Sequence, residues 1–239
     1  MDGVERVFGF HVMNGPVGTI GIPKGVATSS AGGWTLTIQG IGGHGSMPHR
    51  ATDPVICAAH CVVALNTIVS RNVSPSDFCV VNVGLLHAGE ASNIIPDQAT
   101  IGCSIRTYSA DAAEIAYRRC EEIIAGVCAA FGCTYELTTV SPYPIVYNDH
   151  ELVDACLASA RQVLGGDDWA AECPPTTASE DFSEFTSMAP GVFVFVNAGD
   201  ESDGLPYQNH HPKFGIVEDP TLFHGVAVEV QIVLDQLAG

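Results

Sequence analysis

The chain has 239 residues, 9 lysines and arginines against 27 aspartates and glutamates, and a net charge of −18. That imbalance argues against nucleic-acid and anionic-membrane partners, whose phosphates reward the cationic side chains scarce here. The start is polar, the apolar runs are strand-sized, and the nine cysteines form an odd set without a C-x-x-C pair, mostly at apolar-face positions. The expectation is a soluble, cytoplasmic protein with buried thiols.

In chain order, Val7-Phe8-Gly9-Phe10 is continuously apolar, as strands covered on both faces are, and His11 stands at its end. From about residue 31 the pattern changes to alternation: Trp34, Leu36 and Ile38 mark one face of a strand. It runs into Gly40-Ile41-Gly42-Gly43-His44-Gly45-Ser46-Met47-Pro48-His49, where glycines leave His44 with little steric cover. A functional imidazole and an ordinary tight turn with a surface histidine both fit that loop. Asp53-Pro54 then opens a helix with apolar residues at 55, 58, 59, 62, 65 and 69.

Two more strands follow, Phe78 to Leu86 and Ala99 to Arg106, the second alternating strictly so that Arg106 points away from the buried face. Ser109 caps a second helix with the stripe Ala112, Ile115, Ala116, Ile123, Ile124, Val127 and Phe131, and Gly132 ends it. Within it Glu121-Glu122 reads as a solvated face. Cys133, Tyr135 and Leu137 give a fourth strand. The order β-α-β-β-α-β over residues 31–141 is that of a ferredoxin-like sandwich inserted into an α/β domain made of residues 1–30 and 142–239.

The second flank has a helix near 149–164, the apolar run Val192 to Val196, and a terminal helix near 220–237 with Leu222, Val226, Val230, Val233 and Leu237 on one face. The flanks total roughly 125 residues, small for a doubly covered sheet of ordinary width. His11 and His210 stand near strand ends, where α/β sheets keep their ligands, and could share a metal or be structural. Ser179-Glu180-Asp181-Phe182 adds carboxylates, and a helix N-terminus explains them equally well.

Read together and in order, the motifs resemble a known family. Phe8-Gly9-Phe10-His11-Val12, the Gly40–His49 loop, Asp53-Pro54-Val55, Ile68-Val69-Ser70-Arg71, His87-Ala88-Gly89, Asn93-Ile94-Ile95-Pro96-Asp97, Arg106-Thr107-Tyr108, Ser179-Glu180-Asp181-Phe182 and His210-His211-Pro212-Lys213-Phe214 are similar to the amidohydrolase branch of the aminoacylase and carboxypeptidase metallopeptidases. That branch includes aminoacylases, hippurate hydrolases and auxin-conjugate hydrolases. The resemblance implies a zinc-peptidase-like α/β domain interrupted by a ferredoxin-like lid, or dimerisation, domain. It implies a homodimer, a two-metal site holding zinc or manganese, and hydrolysis of N-acyl amino acids or related amides to a carboxylate and a free amine.

By the same resemblance His11 and His210 match metal ligands. His44 matches a lid histidine that stabilises the oxyanion of the tetrahedral intermediate in the other subunit, and Asn93 and Arg106 match residues near the substrate's carboxylate. His49, His211, Glu180 and Asp181 lie beside matched motifs without an assigned role. Family members carry, before the Phe-Gly-x-His motif, a Gly-(Cys or His)-Gly-His-Asp segment and a Glu-Glu pair, which this sequence lacks. The expectation is a C-terminal portion of a longer enzyme, not competent alone. Two rival readings are a non-catalytic dimerisation or assembly protein and a module in which Arg106 and Asn93 hold a carboxylate without turnover.

Overall fold

The structure, a computed structural model, describes residues 2–238, apart from the side chains of Ser141 and Pro142. In chain order the elements are β1 (Val7–Met13), β2 (Ile20–Ile22), β3 (Gly25–Val26), β4 (Ala31–Gln39), β5 (Gly43–His44), α1 (Pro54–Leu65), α2 (Thr67–Asn72), β6 (Cys79–Ala88), β7 (Ile94–Ile95) and β8 (Gln98–Thr107). They continue with α3 (Ala110–Phe131), β9 (Thr134–Tyr143), β10 (Tyr147–Asn148), α4 (His150–Leu164), β11 (Ala170–Glu172), α5 (Ser183–Thr186), β12 (Gly191–Asn197) and α6 (Glu218–Ala238). The chain divides into two compact units: Met1–Thr28 with Val146–Gly239, called here the interrupted unit, and Ser29–Ile145, the inserted unit. No described helix is long and apolar enough to cross a membrane.

The inserted unit is built on the antiparallel sheet β6-β8-β4-β9, with α1, α2 and α3 packed on its apolar face. With the chain order β4-α-β6-β8-α3-β9, this is the ferredoxin-like arrangement. Local chemistry fixes its ends. Asp53 Oδ1 accepts from Val55 N–H at 2.8 Å to start α1, Ser109 Oγ accepts from Ala112 N–H at 3.1 Å to start α3, and Gly132 ends α3 in the left-handed region at φ 70°. Trp34, Leu36, Ile38, Ile101, Ile105 and Ile124 are at most 1% exposed, each worth about 1.5–3 kcal/mol of apolar burial.

The first helix differs from its expected stripe. It breaks at Asn66 into α1 and α2, and its buried face is Cys57, Ala58, Cys61, Leu65 and Ile68, while Val55 and Ala59 are exposed. The reason is compositional: nearly every residue of α1 is apolar, so periodicity does not single out a face. In α3 the expectation holds, with Ala112, Ala116 and Ile124 buried and Ile115, Ile123, Val127 and Phe131 packed beside them. Glu122 is on the solvated side, paired with Arg118 at 3.0 Å and with Arg119.

The interrupted unit has the sheet β1-β12-β2-β11, with β1 parallel to β12 and β2 antiparallel to it. Strand β12 is covered on both faces. Val192, Val194 and Val196 join the core shared with α4 and α6, and Phe193 and Phe195 pack with Ala27, Val146 and Phe182 on the other side. Strand β1 is not: all seven residues are half-buried, because β12 is its single partner among the described residues and its other edge is open. The apolar stripe of α6 also departs from expectation. Leu222, Val226, Val230, Val233 and Leu237 are exposed, and the buried residues are Thr221, Val228 and Ile232. Like α1, α6 is apolar on more than one side, and the four-stranded sheet beneath it covers one of them.

Candidate functional site

The C-terminal half of β1 opens into a cavity of about 680 Å³ whose wall includes His11, Asn14, Glu180, Asn209 and His210. His11 Nδ1 lies 2.8 Å from the Val12 carbonyl, which can only accept, so the proton is on Nδ1 and the neutral ring presents the Nε2 lone pair. That Nε2 is 3.9 Å from Glu180 Oε2. Metal-ligating imidazoles commonly have their non-ligating N–H held in this way by a backbone carbonyl, which leaves the other nitrogen for an ion.

The same carbonyl also accepts from Asn209 Nδ2 at 2.8 Å, which ties the loop carrying His210 to β1. His210 adopts φ 72°, the left-handed region that a non-glycine residue occupies at a cost, and such positions cluster at functional sites. Burial pushes the Glu180 carboxyl above the ordinary carboxylate range, and a hydrogen bond that its protonated form donates to Asp181 adds to the rise; only the charge of a protonated His11 ring opposes it.

Two imidazoles and a carboxylate facing one cavity suit a borderline divalent ion. They do not close a site by themselves, since among the described residues no three imidazole or carboxylate donors lie within 4.8 Å of one another. His211 turns elsewhere. It stacks on Tyr207 at 4.1 Å and accepts from Lys213 N–H at 3.0 Å, so its ring is engaged within its own loop.

The inserted unit holds the other candidate residues. His44, exposed in β5, pairs with Ile94 of β7. The Ser46 backbone N–H, which can only donate, reaches His44 Nδ1 at 3.1 Å, and Ser46 Oγ is 2.8 Å from the same atom. The neutral ring therefore carries its proton on Nε2 and offers an N–H donor to solvent. Asn93 is brought beside it: the Asn93 carbonyl accepts from Gly45 N–H at 2.8 Å, and a Cβ at Gly45 would sit 3.0 Å from that oxygen. At the loop's base a Cβ at Gly40 would fall 2.2 Å from the Thr52 carbonyl, so this approach requires glycine.

Arg106 is half-buried on the β8 face away from the core, eight residues along the strand from Gln98, or roughly 26 Å from the end near the His44 loop. The inserted unit thus brings His44 and Asn93 together and leaves Arg106 apart. His49 is exposed in a short turn at Pro48–Arg50. Sequence reading missed Asn209, whose bond to Val12 spans 197 positions and has no local signal.

Comparison with known proteins settles the inserted unit, since residues 26–130 match the family model for the peptidase dimerisation domain. It is an M20 peptidase dimerisation domain. Across the chain, similarity extends to thermostable carboxypeptidase 2 of Saccharolobus solfataricus, 31% identical over 92% of this chain and 55% of that protein. The hippurate hydrolase of Campylobacter jejuni is 34% identical over 80% of the chain and 50% of the enzyme.

Among solved structures, a proposed aminohydrolase from methicillin-resistant Staphylococcus aureus superposes with a TM-score of 0.86 at 31% identity, covering 98% of the chain and 59% of that one. The Bacillus subtilis YXEP protein, a dinuclear metal-binding peptidase from the M20 family, gives 0.75 at 25% identity over 98% and 58%. The homologues are hydrolases, and the chain spans about half the length of the curated relatives it matches.

Proposed function

We propose that the chain supplies part of a metal-dependent amidohydrolase that cleaves N-acyl amino acids or related amides to a carboxylate and a free amine. The observation that carries this reading is the orientation of His11, whose Nε2 lone pair faces Glu180 in the cavity that His210 also lines. In this reading His11 and His210 hold a divalent ion, zinc or manganese, one of two in the complete site. When bound, the metal supplies Lewis acidity at the amide carbonyl and activates the attacking water. His44 donates its Nε2–H to the oxyanion that develops as the carbonyl becomes tetrahedral, acting in a dimer formed through the inserted unit. Asn93 holds the substrate's carboxylate beside His44, and Arg106, set apart on β8, adds its forked guanidinium to that carboxylate only from the second subunit of the dimer.

The test is amine release from a panel of N-acyl amino acids, N-benzoylglycine included, with zinc or manganese. It is run on the chain alone and on the chain extended by the in-frame coding sequence upstream of Met1. Negligible turnover alone, and metal-dependent turnover in an extended form carrying the Gly-(Cys or His)-Gly-His-Asp and Glu-Glu segments, is the expected outcome. An extended form that carries both segments, binds metal and cleaves no amide overturns the reading.

A further inference from the structure

Three of the nine cysteines converge in the helical layer of the inserted unit, and a fourth lies at its edge. Cys57 and Cys61 are one turn apart on α1, Cys128 is in the last turn of α3, and Cys133 follows its glycine cap. The Cys133 N–H donates to the Cys128 carbonyl at 2.9 Å, so the capping turn folds the fourth cysteine back toward the third. Their exposures are 0, 0, 1 and 7%. The sulfurs of Cys57, Cys61 and Cys128 all lie within 4.8 Å of one another, and Cys57 to Cys128 is 3.8 Å. Cys133 is brought next to this trio by its backbone bond to Cys128, and its sulfur stands outside the three-sulfur cluster.

The spacing within each pair, C-x3-C and C-x4-C, lies in the range of structural zinc ligands, and a tetrahedron with Zn–S bonds of about 2.3 Å has sulfur-to-sulfur edges of about 3.8 Å. The Cys57–Cys128 separation already has that value. Core packing asks for apolar volume, which Cys79 and Cys120 supply in the same core without gathering; it does not ask three sulfurs to face one point. Cys57 also lies in the first turn of α1, where the helix dipole favours a thiolate.

We propose that Cys57, Cys61, Cys128 and Cys133 form a closed, four-coordinate structural site for one zinc ion within the inserted unit, independent of His11 and His210. Each coordinating thiol gives its proton to solvent as the Zn–S bond forms, and the ion cross-links α1 to the end of α3. Without the ion, burial holds these thiols protonated at neutral pH, Cys57 and Cys61 pushed up to about 12 and Cys128 to about 11.

The test uses the full chain, reduced, metal-stripped and kept from air, titrated with cobalt as a spectroscopic stand-in for zinc. The expected result is one thiolate-bound cobalt per chain, with thiolate-to-cobalt charge-transfer absorption and intense visible bands of tetrahedral geometry, these bands being abolished by zinc. The signal persists in the His11→Ala/His210→Ala double variant and in Cys103→Ala, and is lost in Cys61→Ser/Cys128→Ser. If that double variant fails to fold by circular dichroism, Cys133→Ser, at the edge of the core, takes its place and must shift the charge-transfer band. A folded, reduced chain that binds cobalt without thiolate charge transfer, or binds none, overturns the proposal, as does a band unaffected by the cysteine substitutions.

Discussion

His11 and His44 are the same side chain held in opposite states. In the interrupted unit a carbonyl accepts from Nδ1–H and leaves His11 with a lone pair at Nε2; in the inserted unit a backbone N–H donates to Nδ1 and leaves His44 with a proton at Nε2. One ring is prepared to accept, as a metal ligand must. The other is prepared to donate, as an oxyanion partner must. A single backbone group beside each ring decides which chemistry it can do, and neither choice is visible in the residue type.

The largest effect that separates the two rings is kinetic. In a form of the protein that turns over, His44→Ala is expected to lower kcat about a hundred- to a thousandfold, equivalent to about 2.7–4 kcal/mol, with metal content unchanged. His11→Ala instead lowers metal content. If His44 acts across the dimer, mixing His44→Ala subunits with subunits lacking His210 restores activity in the heterodimer; assembled but inactive heterodimers contradict the cross-subunit role.

A smaller effect falls on Asn209. Because its amide shares the Val12 carbonyl with His11, Asn209→Ala is expected to weaken zinc binding to the interrupted unit about 10–100-fold without changing helix content, as loss of an outer hydrogen bond around a metal site does. Isothermal titration of zinc into the chain checks it, with Cys61→Ser as background so that sulfur ligation does not mask the result.

The smallest contrast is between the two sides of α6. Ile232→Val, at 1% exposure, is expected to cost about 0.5–1.5 kcal/mol in urea denaturation. Val230→Ala, at 51% exposure, is expected to stay within about 0.5 kcal/mol. A larger loss at Val230 than at Ile232 would mean that the outer stripe is covered in solution.

The inserted unit was the more legible region. Its strands β4 and β8 alternate, its helices carry Asp53, Ser109 and Gly132 as explicit ends, and four antiparallel strands with few helices leave few topologies to choose from. The helices that misled, α1 and α6, are those apolar around most of their circumference, where the buried face is set by the neighbour rather than by the period. For β1 the composition gave the strand but not its half-buried edge position, since burial depends on partners that local sequence does not encode. His11 and His210 could be paired from the sequence through resemblance alone. Their shared cavity, the Asn209 tether and the convergence of Cys57 and Cys61 with Cys128 arise from contacts many residues apart.

The central claim is most directly tested by nitrogen-15 spectra of the chain with labelled histidine, assigned by single substitutions. The expected spectra place the proton of the neutral ring on Nδ1 in His11 and on Nε2 in His44, and added zinc shifts His11 and His210 while leaving His44 in place. A His11 ring protonated at Nε2, or a His44 ring that shifts with zinc as His11 does, would contradict the division of labour between acceptor and donor.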